Sequence, residues 1–132
     1  MRALSTEMRY LIYVAILMAF IWVPYILAHI QQVGAAKALS YPDTCDMPAW
    51  AARLKRAHYN LVENAPLFAI AVIAGEFRNI HTTTTAACAM IFFWARVAHP
   101  IAAVAHVWGT RTLTYTIGWV AVLVYLLLVL AR

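Results

Sequence analysis

Charge is scarce in this chain. Aspartate, glutamate, lysine and arginine make up 11% of the 132 residues, while 65% are hydrophobic. Soluble domains carry about 25% charged residues. At this length a soluble fold has too little interior to hide so much apolar surface, so lipid must be the solvent for much of it. Cysteine is sparse too. Cys45 falls in a connection and Cys88 near the start of a later span, at the opposite membrane face, which argues against a disulfide between them. Neither has metal-ligand spacing, and Cys88 reads as a small packing residue. With four glycines there is no phosphate-cradling loop, and no nucleophile stands beside a base. The net charge of +5 comes without a dense basic run interleaved with aromatics, which argues against nucleic acid. In a membrane protein such a charge is an orientation signal. No repeat or low-complexity tract divides the chain, so residues 1–132 are expected to form one domain.

Tyr10 to Ala28 contains no charged side chain, about the length that crosses a hydrocarbon core. It outruns the roughly 7–15-residue apolar run of a secretion signal and reads as a retained first span, with Pro24 as a kink. Gln31 to Pro48 is a polar connection with a turn at Tyr41-Pro42-Asp43, and Asp46 is placed to cap the next helix. That helix is expected from Pro48 to Phe77. Arg53, Lys55 and Arg56 in its first turns belong in water or at the interface, and Ala65 to Gly75 in lipid. A polar turn through His81 leads to a third helix, opened by Thr82 to Thr85 and running to His106. Val107-Trp108-Gly109-Thr110 is a break, and Thr112 to Ala131 a fourth uncharged span. The expected fold is an all-α integral membrane protein, a four-transmembrane-helix up-and-down bundle. His29 reads as an interfacial residue, and Trp22, Trp94, Trp108 and Trp119 as packing or interface anchors. Basic residues number five on the first and third connections (Lys37, Arg53, Lys55, Arg56, Arg111) against four on the other side (Arg2, Arg9, Arg78, Arg132). That bias puts those connections in the cytoplasm and both termini outside.

Polar residues recur at helical spacing on three of these spans. Arg56, Asn60 and Glu63 lie at i, i+4 and i+7 of the second. Arg96, His99 and His106 share a face of the third with Ala103, and Arg111, Thr112 and Tyr115 open the fourth. Counting from the inner boundary at 1.5 Å per residue, Glu63 lies roughly 9 Å deep and Arg96 roughly 12 Å. An ion pair between them is the expected way to carry both into lipid. The result would be a cationic vestibule with a carboxylate at its floor, suited to a small anionic ligand entering from the inner face. The plainer alternative is an ion pair that fastens helices and binds nothing. His99 and His106 have no third ligand on their face, so no metal site is expected.

Arg56-Ala57-His58-Tyr59-Asn60-Leu61-Val62-Glu63-Asn64, followed by Pro66 and Phe68, resembles the second-helix signature of the membrane-associated proteins in eicosanoid and glutathione metabolism (MAPEG). Arg96-Val97-Ala98-His99 and Arg111-Thr112-Leu113-Thr114-Tyr115-Thr116 are similar to that family's third- and fourth-helix motifs, nearest to its prostaglandin E synthase branch. The resemblance implies a homotrimer binding glutathione between neighbouring subunits near the cytoplasmic side, with a lipophilic second substrate arriving from the membrane lipids. It implies that Arg56, Asn60, Glu63 and His99 hold the tripeptide, supported by Arg96, Thr112 and Tyr115. Arg111 matches the arginine that stabilises the catalytic thiolate. There are departures: Tyr59 stands where that branch has arginine, Leu61 where the family often has aspartate, and Ala103 where a tyrosine contributes to the site. Prostaglandin synthesis in particular is therefore not supported.

Three functions remain open on these residues. The first is a glutathione-dependent transferase or peroxidase acting on lipophilic electrophiles or hydroperoxides. The second is a non-catalytic lipid- or thiol-binding member. The third is a small proton-coupled exporter using Glu63, which the surrounding arginines disfavour by attracting anions rather than cations.

Overall fold

A computed structural model of the chain describes residues 3–40 and 46–131. The Tyr41-Pro42-Asp43 turn, Cys45, Arg2 and Arg132 lie outside the described residues. Among the described residues six helices follow in order: α1 (Thr6–Phe20), α2 (Trp22–Val33), α3 (Ala35–Ala38), α4 (Ala49–Phe77), α5 (Thr83–Ala105) and α6 (Thr110–Ala131). Four segments of these residues are long and apolar enough to cross a membrane, namely Thr6–Val33, which joins α1 and α2, then α4, α5 and α6. The fold is all-helical, with four candidate spans.

The breaks have local causes. Pro24 has no N–H to give the Phe20 carbonyl, and its ring crowds that turn, so α1 stops at Phe20 and α2 begins at Trp22. Ser5 caps α1 by accepting from the Met8 N–H at 3.1 Å. Thr82 and Thr85 form a reciprocal capping box at the start of α5, which places the Thr85 hydroxyl oxygen 2.9 Å from the Thr82 carbonyl. His106 ends that helix in the left-handed region (φ 57°), and Gly109 (φ 76°) completes the reversal into α6.

Ser5 and Glu7 meet Glu76 and Thr85 at one end of the bundle, where Arg78 also donates to the Val129 carbonyl. His29 meets the Asp46 carbonyl at the other end, and Arg53 the Val104 carbonyl. The spans therefore run up and down. Val14, Leu61, Phe68, Val72, Phe92, Val122 and Tyr125 form the main core, with Phe68 stacked on Phe92 at 4.3 Å between centroids. A smaller cluster packs Ile21, Tyr25 and Ala28 of the first span on Ala51 and Leu54 of α4. Large apolar side chains such as Phe20, Ile70, Trp94 and Leu130 point outward, as a lipid-facing surface requires.

Two expectations need correction. Asp46 does not cap α4: Pro48 holds the N-cap position, and the Asp46 carboxylate faces Lys37 at 3.7 Å. His29 is buried rather than interfacial, because its Nδ1 has a backbone partner in the Asp46 carbonyl at 2.7 Å. The short helix α3 breaks what the sequence presents as one polar connection.

Candidate functional site

The polar stripes of three helices meet at His99. It is buried on α5, between Asn60 of α4 and the first turns of α6. Its Nδ1 lies 3.2 Å from both the Arg111 carbonyl and the Thr114 hydroxyl, and its Nε2 lies 3.3 Å from the Asn60 amide nitrogen. One assignment satisfies every partner: Nδ1–H donates to the Arg111 carbonyl, and Nε2 accepts from the Asn60 amide. The Tyr115 ring sits 6.1 Å from the imidazole on the same side.

One helical turn away, Arg96 is 1% exposed. Its guanidinium lies 4.9 Å from the centre of the Phe92 ring and 5.2 Å from that of Tyr115. Nε, Nη1 and Nη2 have no hydrogen-bond partner among the described residues. Ring faces recover only part of a cation's hydration, so this charge calls for an anion. The expected anion is not supplied among the described residues. Glu63 is exposed on the outer side of α4 and forms no ion pair with Arg96. The two stripes face different ways, because α4 turns Leu61, Ala65 and Phe68 to the core and carries Glu63 outward with Val62 and Leu67. Arg56 is likewise exposed. The chain thus brings together Asn60, Arg96, His99 and Tyr115, and leaves Arg56 and Glu63 on an open face.

Arg111 and Thr112 line a cleft of about 820 Å³ between the start of α4 and the α5–α6 turn. His106 lines it too, having left the Arg96–His99 face where α5 ends. Arg53, expected in water or at the interface, is half-buried on its wall. Among the described residues no group of three His, Cys, Asp and Glu side chains is placed to hold a metal ion.

The MAPEG family model matches residues 10–131, nearly the whole chain. The chain belongs to the MAPEG family. No individually curated protein matches it.

At the far end of this MAPEG protomer is a polar cluster absent from the expectations above. Glu7 of α1 is 2% exposed, and its carboxylate accepts from the Thr85 hydroxyl at 2.5 Å. His81 stands between two carboxylates, with Nδ1 3.6 Å from Glu7 and Nε2 3.7 Å from Glu76, while Ser5 donates to Glu76. The available signal was a carboxylate in the first turn of the first helix, at the same end of the bundle as the polar turn at His81.

Proposed function

We propose that the protein is a glutathione-dependent membrane transferase or peroxidase acting on lipophilic electrophiles or hydroperoxides. The observation that carries this reading is the His99 junction, which ties the Asn60 stripe of α4 to the backbone of Arg111 beside a cationic cleft. Family membership supports it. In this reading Arg56, Asn60, Glu63 and His99 hold the tripeptide, with Arg96, Thr112 and Tyr115 in support. Arg56 and Glu63, open on the protomer, face a neighbouring subunit of a homotrimer. The site opens to the cytoplasm, the termini lie outside, and the second substrate enters sideways from the bilayer.

The chemistry asked of Arg111 is simple. A free thiol with a pKa of about 8.5 is mostly protonated at neutral pH, and an adjacent guanidinium favours the nucleophilic thiolate. In conjugation the sulfur attacks an electrophilic carbon, and the leaving group departs with the bonding pair. In peroxide reduction the sulfur takes the terminal oxygen of the hydroperoxide and the O–O bond breaks. The alkoxide is protonated to the alcohol, and a second glutathione converts the sulfenic acid to disulfide and water.

Calorimetry of the purified protein with glutathione, paired with conjugation of a generic aryl halide, tests the reading. Glutathione affinity and product formation that both fall at least tenfold in Arg111→Ala and Glu63→Gln are the expected result. Absence of glutathione binding by the wild type overturns it. A second reading, a lipid-binding member without catalysis, draws on one observation: an apolar cleft of about 690 Å³, walled by Ile21, Pro24, Trp50, Leu54 and Pro100. Tight lipid retention without glutathione affinity would favour that reading instead.

A further inference from the structure

The cleft at the α5–α6 turn carries Arg53, His106 and Arg111, with Thr112, Trp108 and Leu113, and among the described residues no aspartate or glutamate lines it. Resting on the glutathione reading above, we propose that Arg53 anchors the bare glycyl carboxylate of glutathione at the mouth of this cleft. The resemblance gives Arg53 no role; its position does. Its Nε is buried without a hydrogen-bond partner, while one terminal nitrogen donates to the Val104 carbonyl at 3.3 Å. That long contact with a neutral carbonyl at the end of α5 orients the guanidinium, and among the described residues no carboxylate pairs with it.

The two ends of glutathione differ in a way that sorts them. The γ-glutamyl end is a zwitterion, with a carboxylate and an ammonium, and so needs an acid as well as a base. The glycyl end is a carboxylate alone. A wall of two arginines and a histidine, with no acid among the described residues, suits the bare carboxylate and repels the ammonium. Glu63, with Asn60 and Arg56 on the same helix, suits the zwitterion.

The spacing along α4 agrees. Arg53, Arg56, Asn60 and Glu63 recur at i, i+3, i+7 and i+10, a single stripe. Arg53 and Asn60 are two turns apart, roughly 10 Å at 1.5 Å per residue. An extended tripeptide spans roughly 10–11 Å. The stretch from Arg53 to Asn60 is therefore about as long as the ligand, with its cationic end at the cleft; Glu63 lies nearly one turn further on, roughly 15 Å from Arg53 along the helix.

The test compares glutathione with its glycyl monoethyl ester, which differs only in that carboxylate, by calorimetry on the full-length protein. The wild type is expected to bind the ester about tenfold more weakly, the scale of one partly exposed charge-assisted contact. Arg53→Gln keeps an amide donor for the Val104 carbonyl but loses the charge. It should bind the acid about as weakly as the ester, so that the preference disappears, and Arg53→Lys should restore part of it. Arg111→Ala should weaken both ligands and still leave the acid preferred over the ester. Equal wild-type affinity for acid and ester overturns the proposal without any variant, as does an unchanged ratio in Arg53→Gln. If Arg111→Ala abolishes binding while the ratio survives Arg53→Gln, only the Arg53 anchor falls. If the wild type binds neither ligand, the glutathione reading fails and takes the anchor with it.

Discussion

Gly118 of α6 leaves the space that the Arg96 guanidinium occupies. A Cβ at residue 118 would stand 3.2 Å from Nε and Nη2 of Arg96, and 3.3 Å from the Ala95 Cβ. Arg96 has little room to yield, since it lies between the Phe92 and Tyr115 rings and is 1% exposed. Gly118→Ala should therefore destabilise the protein by about 1–3 kcal/mol, the usual cost of overpacking, although alanine is the better helix former. Thermal unfolding in detergent measures this. Combining the change with Arg96→Met, a slimmer side chain, should recover part of the loss. An unchanged Tm for Gly118→Ala would mean that Arg96 is not confined.

The His99 junction predicts a different outcome for Asn60. Asn60→Leu removes the donor to Nε2 and leaves a buried ring nitrogen without a partner, at a cost of about 1–3 kcal/mol. Asn60→Asp offers an acceptor to an acceptor unless the imidazole takes up a second proton. Leucine should lower Tm in a way that hardly depends on pH, and aspartate in a way that eases as pH falls. Unfolding at two pH values checks both. Equal behaviour of the two variants would show that Nε2 is not the accepting nitrogen.

Glu63→Gln separates a ligand-binding role from a structural one. Glu63 is exposed and pairs with no arginine among the described residues, so the exchange should leave Tm of the ligand-free protein nearly unchanged while glutathione affinity falls at least tenfold. Both measurements are made on one preparation. A large drop in ligand-free stability with intact binding would restore the helix-fastening role.

The four spans were legible because apolar length and proline or glycine breaks act locally. Pro24 stops α1 through its own missing N–H, and Gly109 adopts the φ that a left-handed turn demands. The stripes were legible for the same reason, since i, i+3 and i+4 spacing is a property of one helix. The Glu63–Arg96 pair failed because it needs the rotation of α4 about its own axis, which the core contacts of Leu61, Ala65 and Phe68 decide. Depth alone was right to place two charges at one level and blind to which way each faced. Arg53 was misplaced similarly: its neighbours in sequence are basic, but its neighbour in space is the last turn of α5.

The buried carboxylate of Glu7 yields the last prediction. It joins the first span to α5 through the Thr85 hydroxyl, which is itself wholly buried and part of the Thr82 capping box. Thr85→Val keeps the shape and removes the hydroxyl, so that Glu7 loses its only hydroxyl donor among the described residues and α5 loses a cap. The two losses act at one place and should cost about 2–4 kcal/mol together, each being typically about 1–2. Thr85→Ser keeps the hydroxyl and should recover most of it. Glu7→Gln in the valine background tells the terms apart. If the unpartnered charge dominates, neutralising it restores stability, and if the cap dominates, the double variant is no better than Thr85→Val. His81 stands 3.6 Å from Glu7 on the more exposed side, so His81→Ala should cost less than Thr85→Val, as water can replace it there. A Thr85→Val protein as stable as the wild type would mean that the carboxylate already has sufficient solvation, and that this end of the bundle is held by packing alone.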